Sequence, residues 1–77
     1  MEPITLYTRD ECHLCDVAAD LFAEVAPERG LVKVDIEDDL ALLERYGVRI
    51  PVLRRPEDGA ELGWPFDEAA LRAFLEA

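Results

Sequence analysis

The sequence LYTRDECHLC, residues 6–15, decides the fold because it joins a strand to a helix through a short polar turn. Before the turn, residues 3–8 alternate β-branched, aromatic and aliphatic side chains, a pattern typical of a strand. After the turn, apolar residues recur at the spacing of one helix face, which we predict to pack against the core. The members of this face are Leu14, Val17, Ala18, Leu21, Phe22 and Val25. Pro27 and Gly30 are expected to end the helix.

A second strand is predicted over residues 31–36, LVKVDI, which form a short segment rich in β-branched residues. A right-handed crossover through the first helix makes it parallel to the first strand, so the N-terminal half is a βαβ unit. Asp38 or Asp39 is then expected to cap a short helix that ends at Gly47 in a left-handed conformation. The apolar residues of that helix are Leu40, Leu43 and Tyr46.

The C-terminal third of the chain predicts a β-hairpin followed by a helix. Residues 48–54 and 60–62 flank the turn sequence PEDG, whose glycine suits a positive φ. Asp67 is the expected N-cap of the last helix, and Phe66 and Leu71 have the spacing of a hydrophobic staple. The complete order, β-α-β-α-β-β-α, predicts an α/β fold with a four-stranded mixed sheet flanked by helices.

Length and composition favour one small domain, residues 1–77, with 51% hydrophobic residues. The 18 acidic and 8 basic residues give a formal net charge of -10, which argues against a nucleic-acid partner because phosphate neutralisation requires clustered cations. The longest apolar run, Leu40–Leu43, is far shorter than a membrane span, so no membrane partner is expected. The first residues lack the features of a secretory signal, and we expect a monomeric cytoplasmic protein whose mature chain starts at Met1.

Two cysteines, Cys12 and Cys15, form a Cys-x-x-Cys pair at the predicted strand-to-helix junction. Two cysteines are too few for the disulfide framework of a small secreted domain. A disulfide between them would close a loop too short to stabilise the fold strongly. A helix N-terminus favours the thiolate that attacks disulfides, and residues one helical turn apart need only a small adjustment to bond. Cys12 is therefore the candidate attacking thiol, and Cys15 the candidate resolving thiol.

Charges next to the pair oppose the effect of the helix N-terminus. The helix stabilises a nearby anion by roughly 0.3 to 1 kcal/mol, and Arg9 adds to this effect. Asp10, Glu11 and Asp16 act against it. Because these contributions nearly cancel, we expect a weakly stabilised thiolate and a comparatively reducing pair.

Other interpretations of the pair stay open on the residues alone. The cysteines are inert in one of them, and in another they bind zinc, which requires four ligands although only His13 is available as a third. His13 itself is either a solvated side chain or a group that tunes the thiols. The main rival to an enzyme is a non-catalytic redox-responsive binding module whose partner surface includes Trp64, Phe66 and the acidic region around residues 35–39. An inter-subunit metal or iron–sulfur site predicts a metal-bound dimer; we expect no metal.

With these residues considered together, the chain resembles the short glutaredoxin-like proteins of the thioredoxin superfamily over nearly its whole length. The resemblance is carried by residues 6–15, by the sequence YGVRIPV at 46–52 and by the helix that begins at Asp67. It implies a thiol–disulfide oxidoreductase in which Cys12 is the nucleophile and Cys15 the resolving cysteine.

The resemblance also implies which residues bind substrate. Pro51 is expected to be a cis proline facing the cysteine pair, with Ile50 offering its backbone to a peptide or to glutathione. Arg9 stands where glutaredoxins usually carry a lysine, and Asp67 approximates a glutathione-contacting aspartate. The complete set of candidates is Arg9, His13, Leu14, Ile50, Pro51 and Asp67. No bound cofactor is implied; the expected partners are disulfide-bearing proteins, or glutathione as a co-substrate.

The sequence departs from the glutaredoxin pattern at three places. His13 and Leu14 replace the central Pro-Tyr of the usual Cys-Pro-Tyr-Cys. Ile50 replaces the usual threonine–valine pair before the proline, and the paired glycines before the last helix are reduced to Gly63. These departures predict that glutathione is a poor ligand.

Overall fold

The computed structural model describes residues 2–76; Met1, the expected start of the mature chain, and Ala77 lie outside the described residues. Helices and strands follow the predicted β-α-β-α-β-β-α order. Their bounds are Ile4–Thr8 (β1), His13–Val25 (α1), Leu31–Asp35 (β2), Leu40–Tyr46 (α2), Val52–Arg54 (β3), Glu61–Gly63 (β4) and Glu68–Glu76 (α3), with a 3₁₀ turn at Ile36–Asp38.

Strand β1 lies inside the sheet because both of its edges are paired. The strand order is β2-β1-β3-β4, with β1 parallel to β2, β1 antiparallel to β3 and β3 antiparallel to β4. This confirms the predicted α/β fold with a mixed four-stranded sheet. The end of β1, the start of β3 and the end of β4 therefore meet at one end of the sheet, which we call the Cys12 end. The opposite end, where β3 turns into β4 through residues 55–60, is the hairpin end.

Alternation along β1 supplies core residues to both faces of the sheet. Ile4 and Leu6 belong to the cluster that α1 and α3 cover, where Leu71 is fully buried with them. Tyr7 belongs to the cluster on the opposite face, where α2 places Tyr46 against it with ring centroids 4.3 Å apart. Helices therefore cover both faces of the sheet, as predicted.

A polar contact joins α2 to the outer strand β4. The Tyr46 hydroxyl donates a hydrogen bond to Glu61, and the Arg45 guanidinium carbon lies 5.4 Å from the centroid of the Tyr46 ring. Burial raises the pKa of Tyr46 to about 12, and the neighbouring Glu61 carboxylate adds to the shift. The hydroxyl is thus held in its neutral, donating form.

The buried face of α1 is not centred where the spacing predicted. Cys15, Ala18 and Phe22 are buried, whereas Leu14 and Val17 are 46% and 38% exposed. Because successive helical residues turn by about 100°, a face centred on residues 15, 18 and 22 leaves positions 14 and 17 outside it. The prediction that Leu14 and Val17 pack into the core was wrong, since a cysteine takes the core position in the first turn.

Aspartate side chains cap the two short helical segments that follow β2. Asp35 Oδ1 accepts a hydrogen bond from the Glu37 backbone N–H at 2.8 Å, which ends β2 one residue earlier than predicted. Asp39 Oδ1 accepts one from the Ala41 N–H at 2.9 Å, so Asp39 is the N-cap of α2. The acidic run therefore starts helical turns, as its position suggests.

Two predictions at the end of α2 were wrong. Gly47 is right-handed, with φ -49° and ψ -36°; glycine is required because a Cβ there would lie 2.5 Å from the Leu43 carbonyl oxygen. The strand predicted over residues 48–54 begins only at Val52. Residues 47–49 form a turn, and Pro51 has no N–H to contribute to a strand ladder.

The hairpin end is fastened to α3 by a buried arginine. Arg55 is 8% exposed, and its guanidinium donates to both carboxylate oxygens of Asp58, at 2.9 and 2.6 Å, and to the Phe74 carbonyl oxygen. The guanidinium bond lowers the pKa of Asp58 to about 2. Gly59 has the predicted positive φ, 74°, and β4 begins at Glu61, one residue later than predicted.

The start of α3 agrees with the predicted cap. Asp67 Oδ1 accepts a hydrogen bond from the Ala70 N–H at 2.8 Å, and Phe66 and Leu71 are both buried in the same cluster.

Within residues 2–76, none of the helices is long and apolar enough to cross a membrane.

Candidate active site

Cys12 and Cys15 form a disulfide at the start of α1, with their Cα atoms 5.2 Å apart. Their exposure differs: Cys12 is half-buried, whereas Cys15 is 2% exposed. The difference arises because Cys12 precedes the first helical residue, while Cys15 belongs to the core-facing side of the helix. A substrate that approaches from solvent therefore meets the sulfur of Cys12 before that of Cys15.

Cys12 is also the N-cap of α1. Its Sγ accepts a hydrogen bond from the Cys15 backbone N–H at 3.1 Å, and its carbonyl oxygen accepts one from the Asp16 N–H at 3.2 Å. Unpaired N–H groups at a helix N-terminus stabilise a nearby anion. A thiolate formed at Cys12 on reduction therefore has a donor directed at it.

Glu11, immediately before Cys12, has a φ of 59°. A non-glycine residue in the left-handed region costs roughly 1 to 2 kcal/mol, and such residues cluster where function constrains the backbone. Here the left-handed residue completes the turn from β1 into the helix and sets the position of Cys12. The sequence carried no signal for it, since glutamate is not a residue that favours this conformation.

Pro51 is placed at the Cys12 end by strand register. The Ile50–Pro51 peptide bond is cis, as the resemblance implies. Val52, the next residue, pairs with Tyr7 near the end of β1, so Pro51 and the turn that carries Cys12 lie at the same end of the sheet. Pro51 is fully buried and its carbonyl oxygen accepts a hydrogen bond from the Trp64 N–H at 3.1 Å.

A second cis peptide bond, Trp64–Pro65, follows β4 at the same end of the sheet. Trp64 packs edge-on against Phe66, with ring centroids 5.0 Å apart, and both contribute to the cluster under α1 and α3. Core packing thus accounts for the contacts of both aromatic rings. This cis bond was not predicted from the sequence.

A cleft of about 300 Å³ opens beside Cys12. It is lined by Thr8, Arg9, Asp10, Glu11, Cys12, Asp16, Lys33 and Asp35. The residues from β2 were missed by the sequence reasoning, although the carboxyl ends of neighbouring parallel strands are a place where ligand sites are expected. Lys33 and Asp35 are near the end of β2, beside the end of β1, and this could have revealed them.

The remaining candidate residues are distributed unevenly around Cys12. Arg9 lines the cleft but forms an ion pair with Glu37, at 3.0 Å between Nη2 and Oε2. His13 and Leu14 are exposed in the first turn of α1. Asp67 lies beyond the end of β4, where its carboxylate caps α3. Ile50 is half-buried and packs against the cluster that contains Tyr46.

Metal ligation within one chain was one of the alternatives left open for the cysteine pair. In the part of the chain that the structure describes, no group of three or more His, Cys, Asp and Glu side chains is arranged to hold a metal ion.

A mixed four-stranded sheet with a Cys-x-x-Cys disulfide at the start of its first helix and a cis proline before the neighbouring strand defines a thioredoxin-like protein. The chain belongs to the glutaredoxin-like domain family (DUF836), which matches residues 3–76. No curated protein matches the chain.

Solved structures agree with this assignment. The X-ray structure of protein XcR50 from X. campestris is 52% identical, with 95% of each chain covered and a TM-score of 0.85. A mutant thioredoxin from Halobacterium salinarum NRC-1 is 28% identical over 95% of this chain and 70% of that one, with a TM-score of 0.70. Protein Ne2328 from Nitrosomonas europaea is 24% identical, covers 94% and 88% of the two chains and has a TM-score of 0.80, which supports the fold alone.

Proposed function

We propose that the protein is a thiol–disulfide oxidoreductase that reduces disulfides or mixed disulfides through Cys12 and Cys15. In the dithiol form, the Cys12 thiolate attacks a substrate disulfide, forms a mixed disulfide and releases one substrate thiol. The Cys15 thiolate then attacks Cys12 Sγ, which releases the second thiol and leaves the Cys12–Cys15 disulfide. Two electrons pass from the protein to the substrate.

The unequal exposure of the two sulfurs is the observation that supports this proposal most. An attacking thiol must be reachable, and a resolving thiol must be close to it but shielded from competing substrates. The half-buried Cys12 and the 2% exposed Cys15 fit these two requirements in that order. Membership in the glutaredoxin-like family supports the same chemistry.

Substrate binding is proposed for the candidates at the Cys12 end. Ile50 offers its backbone carbonyl oxygen and Pro51 fixes the cis bond that follows it, while Arg9, His13 and Leu14 surround the pair. Asp67 joins them only if a substrate replaces the bond that its carboxylate makes to Ala70. Glutathione or a dithiol protein regenerates the dithiol form as a co-substrate, without a bound cofactor, and the protein works as a cytoplasmic monomer.

The test is turnover with two reducing systems run in parallel. Wild type is mixed with a disulfide substrate and either glutathione with its reductase or a thioredoxin reductase system. Repeated reduction in at least one system is expected, and the faster one identifies the class of electron donor. Cys12→Ser is the inactive control.

The rival function, a redox-responsive binding module, is distinguished by the same assay. The exposed Leu14 and Val17 beside the disulfide favour this alternative because they offer an apolar contact to a partner. A module of this kind reacts once with stoichiometric oxidant or reductant and does not sustain turnover. One equivalent of substrate consumed per protein, with no further reaction under either reductant, therefore contradicts the enzyme and supports the switch.

A further inference from the structure

The charged cleft beside Cys12 gives a substrate disulfide a route to its sulfur. Cys12 lines this cleft and Cys15 does not. Asp10, Glu11 and Asp16, which follow β1 or lie in the first turn of α1, are all exposed. The charged groups that line this cleft next to the sulfur are thus mostly carboxylates.

The cations of the cleft do not balance these carboxylates. The cleft contains four carboxylates and two cations, Arg9 and Lys33. Arg9 is already paired with Glu37 at 3.0 Å, and no other ion pair occurs at the Cys12 end within residues 2–76. With Glu37 included, five carboxylates face two cations, a net charge of -3.

An uncompensated charge of this kind acts on the rate of association. Clefts lined by one sign of charge raise the on-rates of oppositely charged partners by roughly 10- to 10³-fold, and repel partners of the same sign. Glutathione carries more carboxylates than amines, so it is of the repelled type. In addition, the guanidinium that could hold its carboxylate, Arg9, is occupied by Glu37.

The first turn of α1 adds an apolar contact. Leu14 and Val17, three residues apart and thus neighbours on the helix surface, are 46% and 38% exposed near the start of α1, outside the lining of the acidic cleft. A combination of carboxylates and exposed aliphatic side chains suits a polypeptide with basic residues better than a small anionic thiol.

We infer that Asp10, Glu11, Asp16 and Asp35 are specificity determinants that make polypeptide disulfides flanked by Lys or Arg the preferred substrates, with Glu37 excluding glutathione by holding Arg9. This inference rests on the proposed function, because it concerns the disulfide that Cys12 attacks. The reaction is the same two-electron exchange, in which the protein dithiol becomes a disulfide and the substrate disulfide becomes two thiols.

The experiment measures single-turnover reduction by the pre-reduced protein, so that no external reductant is needed. Two peptide disulfides of identical length are compared, one flanked by Lys and one by Glu, together with glutathione disulfide. Each rate is divided by the rate of the same disulfide with dithiothreitol, since flanking charges also change intrinsic reactivity. At low ionic strength the basic peptide is expected to react about tenfold faster or more, and the ratio should shrink in about 0.5 M salt.

Variants locate the effect in the cleft. Asp10→Asn with Asp16→Asn should lower the preference for the basic peptide at least about threefold at low salt. The matched control, Glu24→Gln with Glu28→Gln, removes two exposed carboxylates near and just beyond the other end of α1 and should leave the preference unchanged. By the helical rise of 1.5 Å per residue, Glu24 is roughly 18 Å from Cys12 along the helix. An equal loss in both double variants would assign the preference to the overall charge of -10 and overturn the inference.

Glu37→Gln tests the exclusion of glutathione as a gain of function. Freed from its partner, Arg9 should raise the rate with glutathione disulfide several-fold, and adding Arg9→Ala should abolish this gain. Equal wild-type rates with all three disulfides would overturn the inference and leave the oxidoreductase intact. A protein that reduces none of the three would instead overturn the proposed function.

Discussion

The two ends of the sheet use charged residues in opposite ways. At the hairpin end, arginines are buried among their partners: Arg55 binds Asp58 and the Phe74 carbonyl, and Arg29 binds Glu57 and the Glu2 carbonyl. At the Cys12 end, the carboxylates around the disulfide face solvent, and the Arg9–Glu37 pair is about two-fifths exposed. Charge stabilises the fold at one end and is left available to a substrate at the other.

The physical reason for the difference is the surroundings of the charges. At the hairpin end, the Asp58 carboxylate accepts two hydrogen bonds from the Arg55 guanidinium. It loses part of its hydration there but gains charge-assisted hydrogen bonds. An exposed carboxylate contributes little to stability, and its field extends only about 8 to 10 Å at physiological salt. Substitutions at the hairpin end should therefore change stability, and those at the Cys12 end should change reactivity.

The largest effect is expected from Cys12→Ser. A serine hydroxyl at neutral pH does not replace a thiolate, so turnover should fall by roughly a thousandfold or more. Cys15→Ser should keep the first step and accumulate a mixed disulfide, which mass spectrometry of the intact protein detects. A Cys12→Ser variant that keeps its activity through Cys15 would reverse the assigned roles of the two sulfurs.

The comparison predicts unequal effects of two arginine deletions. Arg55→Ala leaves Asp58 and the Phe74 carbonyl without their donor and should lower the urea midpoint of the reduced protein markedly. Arg9→Ala removes an exposed pair, whose contribution to stability is small, and should shift the midpoint several-fold less. Equal shifts of the urea midpoint in Arg55→Ala and Arg9→Ala would contradict the proposed difference between the hairpin end and the Cys12 end.

Acid unfolding gives a sharper test of the hairpin end. The Asp58 pKa of about 2 lies below its ordinary value of 3.8, so its contribution is complete above pH 4 and lost as the pH falls towards 2. Asp58→Asn should therefore be less stable at pH 7 and show a shallower loss of stability between pH 4 and 2. Denaturant melts at several pH values measure both slopes.

The smallest expected effect concerns the backbone before Cys12. Glu11→Gly removes the cost of a left-handed φ of 59° but adds entropy to the unfolded chain, so a net gain of about 0.5 to 1 kcal/mol in unfolding free energy is expected. The urea midpoint measures it, with Asp10→Gly as the control that should destabilise. A loss of stability in Glu11→Gly would show that the left-handed residue is unstrained.

Local sequence patterns predicted the helices and strands that have a clear apolar periodicity or a capping residue. The βαβ unit followed from the alternation in β1 and the spacing in α1. Asp67 was predicted as a cap, and Asp39 as one of two candidates beside Asp38, because the chemistry of caps is local. The resemblance, rather than the spacing, supplied the cis state of Pro51.

Long-range features were not predictable in the same way. The buried position of Cys15 and the exposure of Leu14 depend on how α1 is rotated over the sheet, which periodicity fixes only to within a residue or so. The Arg9–Glu37 pair and the Arg55–Phe74 contact join residues 28 and 19 positions apart. Lys33 and Asp35 enter the cleft through strand pairing.

The most direct test of the central claim is competitive alkylation of the reduced protein. Brief exposure to iodoacetamide, followed by peptide mass spectrometry, reports how fast each sulfur reacts. We predict that Cys12 is modified at least about tenfold faster than Cys15, because Cys12 is accessible at the helix N-terminus and Cys15 is 2% exposed. Faster labelling of Cys15, or equal labelling of both, would contradict it.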